Sequence, residues 1–146
     1  MFRGRFEHTV DSKGRVSIPA KFRDLLAEKY DDRLILTNFD RCLVAYPYEE
    51  WRVLEERVGS LSMVKKEVKA FQRFFISGAT ECPIDKLGRI LIPPTLRDYA
   101  QLGRNVVFAG MLRKFEIWSK ERWQEEIKRS EVDFEGIGEA LAELGM

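Results

Sequence analysis

The sequence predicts an α+β fold made of one unit used twice, and three observations carry that expectation. Val10-Asp11-Ser12-Lys13-Gly14-Arg15-Val16-Ser17-Ile18-Pro19 returns as Ile84-Asp85-Lys86-Leu87-Gly88-Arg89-Ile90-Leu91-Ile92-Pro93, at an offset of 74. Over Val10 to Leu25 against Ile84 to Tyr99 seven of sixteen positions are identical, where unrelated stretches share about one. A second match, at an offset of 72, sets Leu34-Ile35-Leu36, Arg41, Leu43, Tyr46 and Trp51 against Val106-Val107-Phe108, Arg113, Phe115, Trp118 and Trp123. Each copy of about 45 residues reads strand, strand, helix, strand, strand, helix. Two such units predict a pseudo-two-fold pair in which neither half need bury its apolar face alone.

In the first copy Phe6, His8 and Val10 alternate with Glu7, Thr9 and Asp11, and Val16 and Ile18 alternate with Arg15 and Ser17. That period of two predicts a half-buried hairpin around Ser12-Lys13-Gly14. Gly14 suits the left-handed position of a short loop, and Asp11 or Ser12 can bond backbone N–H groups at its entrance. Pro19 opens a helix, because its missing N–H is not needed in a first turn, with Phe22, Leu25, Leu26 and Tyr30 on its apolar face. Leu34–Thr37 and Leu43–Tyr46 form a second hairpin around Asn38-Phe39-Asp40-Arg41. Pro47 begins a helix with Trp51, Leu54 and Val58 inward.

Residues 60–78 predict a linking helix from Val64, Val68, Phe71 and Phe75. The second copy then repeats the order: strands near 79–84 and 89–92, a helix opened by Pro93-Pro94 and ended at Gly103, strands near 105–110 and 115–118, and a helix from Ser119 to about Arg129. Ser119 is an N-cap candidate, and Pro83 puts its strand at a sheet edge or a bulge. Glu131–Met146 carries Phe134, Ile137, Leu141 and Leu144 at amphipathic spacing and reads as a docked helix or a disordered tail.

With 146 residues, 45% apolar and 34% charged, the chain is long enough for one well-buried core or two fused units sharing it. Its apolar runs are only a few residues long, which excludes a transmembrane helix. The start Met1-Phe2-Arg3-Gly4-Arg5-Phe6 lacks the apolar stretch and cleavage site of a secretory signal, so a cytoplasmic location is expected. Cys42, Cys82 and the single histidine, His8, show no metal-ligand spacing. Both cysteines read as small buried residues, and neither a metal nor a cofactor is expected.

The net charge of +1 argues at first against a nucleic-acid partner, but its distribution is uneven. Residues 1–23 hold Arg3, Arg5, Lys13, Arg15, Lys21 and Arg23 against Glu7 and Asp11. Residues 131–146 hold Glu131, Asp133, Glu135, Glu139 and Glu143 with no basic residue. One end is a cationic surface and the other an acidic tail.

A single Asp-x-x-x-Arg turn has a purely structural explanation: aspartate caps, glycine bends and arginine closes an exposed ion pair that adds little stability. Its recurrence, with the same glycine, the same following strand and the same proline, points further. Pseudo-symmetry would place two narrow hairpins on one side of the molecule, each with an arginine at its base. A two-stranded ribbon fits the major groove, where arginine bridges guanine acceptors or grips a phosphate. Lys13 and Lys86 add charge near the tips.

The Met1-Phe2-Arg3-Gly4 start and the pair Asp11-Ser12-Lys13-Gly14-Arg15 and Asp85-Lys86-Leu87-Gly88-Arg89 resemble the MraZ family of bacterial transcriptional regulators, within the AbrB-like (SpoVT-AbrB) superfamily. The resemblance covers roughly residues 1–129 and implies two tandem pseudo-symmetric swapped-hairpin units forming a barrel with peripheral helices. The units would be 5–50 and 77–122, joined by a helical connector at 51–76 and followed by a C-terminal helix and acidic tail at 123–146. The resemblance further implies ring-shaped homo-oligomers that bind double-stranded DNA at short direct repeats upstream of the division and cell-wall gene cluster and repress transcription, with a nucleoid-associated location. DNA contact would fall on Arg15 and Arg89, oriented by Asp11 and Asp85, with Lys13, Lys86, Arg3 and Arg5 beside them. Leu87 takes the place of Lys13, so the second tip is less cationic.

Two other classes compete. His8, Asp11 and Ser12 are the only tempting catalytic set, but strand alternation puts His8 and Asp11 on opposite faces and no oxyanion element accompanies them, so no enzyme or small-molecule substrate is expected. Gly136-Ile137-Gly138 lacks the third glycine and the preceding strand of a dinucleotide loop. The alternative to a DNA-binding regulator is an antitoxin-like protein-interaction module, since AbrB-like units also serve in that role.

Overall fold

The computed structural model describes residues 1–146 as a mixed α/β fold. Eight strands, β1 (Arg5–Thr9), β2 (Arg15–Ser17), β3 (Arg33–Phe39), β4 (Cys42–Pro47), β5 (Thr80–Pro83), β6 (Arg89–Leu91), β7 (Asn105–Gly110) and β8 (Phe115–Ser119), are interleaved with six helices. The helices are α1 (Ala20–Lys29), α2 (Tyr48–Gly59), α3 (Lys66–Phe71), α4 (Pro94–Ala100), α5 (Lys120–Val132) and α6 (Phe134–Glu143). A π-helical turn, Gln72–Ile76, continues α3.

Six strands form an antiparallel sheet in the order β1-β7-β8-β4-β3-β5, and β2 and β6 form a separate two-stranded ribbon. Exchanging each strand with its counterpart four places along the chain leaves that order unchanged. The symmetry expected from the duplicated sequence is therefore visible in the topology. It is reached by exchange: β1 of the first half lies on β7 of the second (Phe6 opposite Phe108), and β5 of the second lies on β3 of the first (Cys82 opposite Leu34).

Two expectations need correction. The first is the half-buried hairpin of residues 6–18: only the turn closes locally, through Asp11 N–H to the Arg15 carbonyl at 2.9 Å, and β2 then leaves β1 to pair with β6. A ladder on β6 lets Val16 and Ile90 both bury inward, which a solitary two-stranded hairpin could not supply. The second is the barrel. The sheet is open, with β1 and β5 at its two edges, because the strands that follow them bond only to each other. Pro83 ends the edge strand β5 as its missing N–H requires.

Side-chain alternation divides the core between the two faces of the sheet. Leu34, Leu36, Leu43, Ala45, Phe108, Phe115 and Ile117 face the ribbon, α1 and α4, together with Val16, Ile18, Ile90, Ile92, Phe22 and Leu96. Ile35, Val44, Tyr46 and Trp118 face the other way, where Trp51 of α2 and Phe75 of the π-turn cover them. Phe2 is buried among Phe22, Tyr30 and Phe115 and bridges backbone to backbone with Leu112.

The prolines act one position earlier than expected for α1 and α2, where Pro19 and Pro47 are the N-cap residues, while Pro94 is the first residue of α4. The β3–β4 turn needs Asp40 and Arg41 both at positive φ, the geometry of a tight two-residue hairpin. α4 stops at Ala100, ahead of Gly103, because Gln101 takes the left-handed C-terminal position at φ 51°. The connector helix is shorter than its apolar stripe suggested, and Val64 is 87% exposed ahead of it. Ser119 caps α5 by accepting from the Arg122 N–H, Cys42 and Cys82 are buried free thiols, and the stretch after Glu131 is helical yet buries no residue. No helix is long and apolar enough to cross a membrane.

Candidate nucleic-acid interface

The ribbon organises the site. Arg15 lies opposite Leu91, Val16 opposite Ile90 and Ser17 opposite Arg89. With Val16 and Ile90 pinned in the core, alternation turns Arg15, Ser17, Arg89 and Leu91 to the outer face. Arg15 and Arg89 become diagonal neighbours, roughly 7–8 Å apart at the backbone. Two arginines 74 positions apart in sequence thus share one face of the ribbon, each about one third exposed, at 35% and 29%.

Each arginine is held from behind by the aspartate that opens its turn. The Asp11 Oδ1 accepts from the Lys13 and Arg15 backbone N–H groups, both at 2.9 Å, and Oδ2 accepts from Arg15 Nε at 2.8 Å. The second turn repeats this atom for atom: Asp85 Oδ1 accepts from the Leu87 and Arg89 N–H groups, and Oδ2 from Arg89 Nε at 3.1 Å. Donation by the Arg15 backbone N–H, with the Arg15 side chain and Lys13 N–H adding to it, holds the Asp11 carboxyl down at about 2. Asp85 is likewise lowered, chiefly by the Arg89 N–H. Both carboxylates stay charged throughout the neutral range.

Only Nε is engaged in either arginine, and the Nη donors have no hydrogen-bond partner within the chain. Arg33 shows the contrast: its Nε and Nη2 both donate to Asp31, and its guanidinium lies 3.9 Å from the centre of the Tyr48 ring. That fork is taken up by contacts within the chain. Arg15 and Arg89 keep a free planar edge, the group that matches a guanine edge or a phosphate.

The glycines explain how the turns sit so close to the body. Gly14 and Gly88 have φ of 89° and 78°, a region that L side chains avoid. Each is also covered by an arginine of the opposite half: a Cβ on Gly14 would come within 2.7 Å of the Arg97 guanidinium carbon, and one on Gly88 would overlap Arg23 Nη1. Arg97 is itself fixed by donation from Nε to the Ile92 carbonyl at 2.9 Å. Arg23 and Arg97 are matched positions of the repeat, but their role as cross-supports for the turns could not be read before the exchange was seen.

The cationic residues expected beside the turns are not all gathered there. Lys13 and Lys86 lie on the turns and are exposed. Arg5 starts β1, six extended residues and about 20 Å from Asp11, with its guanidinium 5.4 Å from the Trp123 ring. Arg3 lies next to the Phe2–Leu112 bridge at that same far end. His8 is half-buried edge-on to Phe108, 5.4 Å between centroids, and its pKa is lowered by burial and by Arg23. The residues that sequence alone did not single out are Leu91, 57% exposed beside Arg15, and Arg104, which borders the first turn.

Comparison with known proteins places the chain. The family profile described as "MraZ protein, putative antitoxin-like" matches residues 1–74 and again 75–143. The chain is 49% identical over 141 residues to a protein of Caldanaerobacter subterraneus subsp. tengcongensis named Transcriptional regulator MraZ, covering 97% of this chain and 96% of the relative. It is 47% identical over 146 residues to a protein of the same name from Thermoanaerobacter sp. strain X514, covering the full length of both. The repeated match falls on the two halves that exchange strands, and the chain belongs to the MraZ family.

Proposed function

We propose that this chain is a sequence-specific DNA-binding transcriptional regulator, a repressor, that reads double-stranded DNA through the outer face of the β2–β6 ribbon. Arg15 and Arg89 make the contacts, Asp11 and Asp85 orient them, and Lys13 and Lys86 add attraction to the phosphates. The observation that carries this reading is the pair of half-engaged guanidiniums, each held at Nε and open at Nη, side by side on a ribbon narrow enough for the major groove. The name shared by its full-length relatives supports a role in transcription. Arg3 and Arg5, at the far end of β1, belong to a flanking phosphate contact.

The finer parts of the reading follow the family. The exchange of β1 and β5 between the halves supports the two swapped-hairpin units of 5–50 and 77–122, joined through 51–76 and followed by 123–146. The chain assembles as a ring-shaped homo-oligomer, works in the cytoplasm on the nucleoid, and binds direct repeats upstream of the division and cell-wall genes. Several ribbons on one ring, each facing a spaced repeat, compensate by effective concentration for the low charge of any one.

An electrophoretic mobility shift on a direct-repeat fragment and a shuffled control tests this. Wild type should shift the repeat selectively, and Arg15→Ala should lose that selectivity at unchanged circular dichroism and native mass. Normal selective binding by Arg15→Ala would refute the reading. The antitoxin-like wording of the family description and the exposed apolar residues of α6 favour a protein-interaction module as second reading, which a stoichiometric co-purifying polypeptide would support.

A further inference from the structure

The two turns are alike in their own atoms and unlike in what stands beside them. The start of each turn is anchored to the opposite half by one backbone bond: Val10 N–H to the Arg104 carbonyl at 2.8 Å, and Ile84 N–H to the Asp32 carbonyl at 2.9 Å. These are equivalent positions of the fold. Arg104 therefore stands beside the first turn where Asp32 stands beside the second, and both are exposed.

The neighbours widen the difference. The concavity flanking the first turn, about 340 Å³, has Arg97 and Arg104 as its cationic walls and Asp11 as its only carboxylate. The concavity flanking the second, about 450 Å³, has Arg23 and Lys86 facing Asp31, Asp32 and Asp85. With the turn residues included, the first side sets Lys13, Arg15, Arg97 and Arg104 against one carboxylate. The second sets Lys86, Arg89 and Arg23 against three, of which Asp31 is tied to Arg33. Leu87 at the second tip replaces a lysine with an apolar side chain that is 68% exposed.

We infer that the duplicated turns are unequal partners for DNA: the first, completed by Arg104 from the other half of the chain, is the stronger phosphate-binding side, and the second, faced by Asp32, is the weaker. This rests on the DNA-binding reading above and deepens it. A ribbon with true two-fold symmetry would accept a duplex in two opposite orientations at equal affinity. Placing cations on one side and a carboxylate on the other gives the bound strand a direction. Arg104 lies outside both Asp-x-x-x-Arg motifs, so the motif alone does not identify it.

The test is fluorescence anisotropy with a labelled duplex carrying the direct repeats upstream of the division and cell-wall genes, titrated over a range of salt concentrations. Arg104→Gln should weaken binding about five-fold at 0.15 M salt and reduce the slope of log K against log salt by about one, the signature of one lost phosphate contact. Arg104→Lys should retain the slope. Asp32→Asn should tighten binding, and Arg15→Ala should lose more affinity than Arg89→Ala. Failure of wild type to show salt-dependent binding overturns the DNA-binding reading itself. Normal wild-type binding with an unchanged slope in Arg104→Gln and equal losses in Arg15→Ala and Arg89→Ala overturns only the inequality of the turns.

Discussion

Gly14→Ala and Gly88→Ala are the same substitution at equivalent positions, and the structure predicts different losses of stability. At both, an L side chain must adopt positive φ, which costs about 1–2 kcal/mol. At Gly14 the added methyl also meets the Arg97 guanidinium, whose carbon lies 2.7 Å from the new atom, and that side chain must give way. Moving it breaks the 2.9 Å bond from Arg97 Nε to the carbonyl of fully buried Ile92, a further loss of about 1–2 kcal/mol. The Arg23 side chain, displaced at Gly88, makes no hydrogen bond within the chain, its backbone N–H alone donating to the Pro19 carbonyl. Gly14→Ala should therefore lose about 2–4 kcal/mol and Gly88→Ala about 1–2 kcal/mol. Gly59→Ala serves as a control, since nothing lies near its Cβ and it ends α2 in helical conformation, so it should gain up to about 1 kcal/mol. Urea unfolding at constant m-value measures all three. If Gly14→Ala proved no less stable than Gly88→Ala, the contribution assigned to the Arg97 support would be wrong.

Thr37 is a fully buried polar residue in β3 whose Oγ1 donates to the Phe75 carbonyl at 2.6 Å, fastening the π-turn of the connector to the sheet. Thr37→Val should lower stability by about 1–3 kcal/mol, and hydrogen exchange should quicken first around residues 72–76. Glu116 is half-buried in β8, accepts from Trp118 Nε1 at 2.9 Å, and has its pKa raised mainly by burial. A raised folded pKa means that the native state keeps a proton the unfolded chain has released, so stability falls as pH rises through that window. Glu116→Gln keeps the acceptor without the charge. Its Tm should exceed wild type by a few degrees, about 2–4 °C per kcal/mol, at neutral pH, and the gain should vanish below the ordinary carboxylate range. A pH-independent difference would contradict it.

The elements were legible where a local signal sufficed. The three helix-opening prolines, the positive φ of Gly14 and the buried faces of α1 and α2 follow from periodicity and turn chemistry. The Asp–Arg pairs were legible for the same reason, since every contact within each turn spans four residues or fewer. Strand partnership was not legible. Alternation says which face Val16 buries and nothing about which strand lies beside it, so β2 read as the partner of β1 when it is the partner of β6. The same limit hid Arg104, which reaches the first turn only because β1 lies on β7. The helical ending at Gly103 failed for a different reason: Gln101 accepted the left-handed position that glycine was expected to take.

The exchange of strands also fixes the order in which the protein can be completed during synthesis. Residues 5–9 find their hydrogen-bonding partners only at residues 105–109, so about a hundred residues must leave the ribosome before the first strand is satisfied. At about 5–20 residues per second the nascent amino terminus waits for roughly 5–20 s. Until residues 80–83 are made, the β3–β4 hairpin, whose partners are adjacent in sequence, can form while both of its outer neighbours, β5 and β8, are missing. The last third of the chain thus acts as the template on which the first few residues finally settle, and a ribosome stalled before residue 105 holds a product with an open sheet edge.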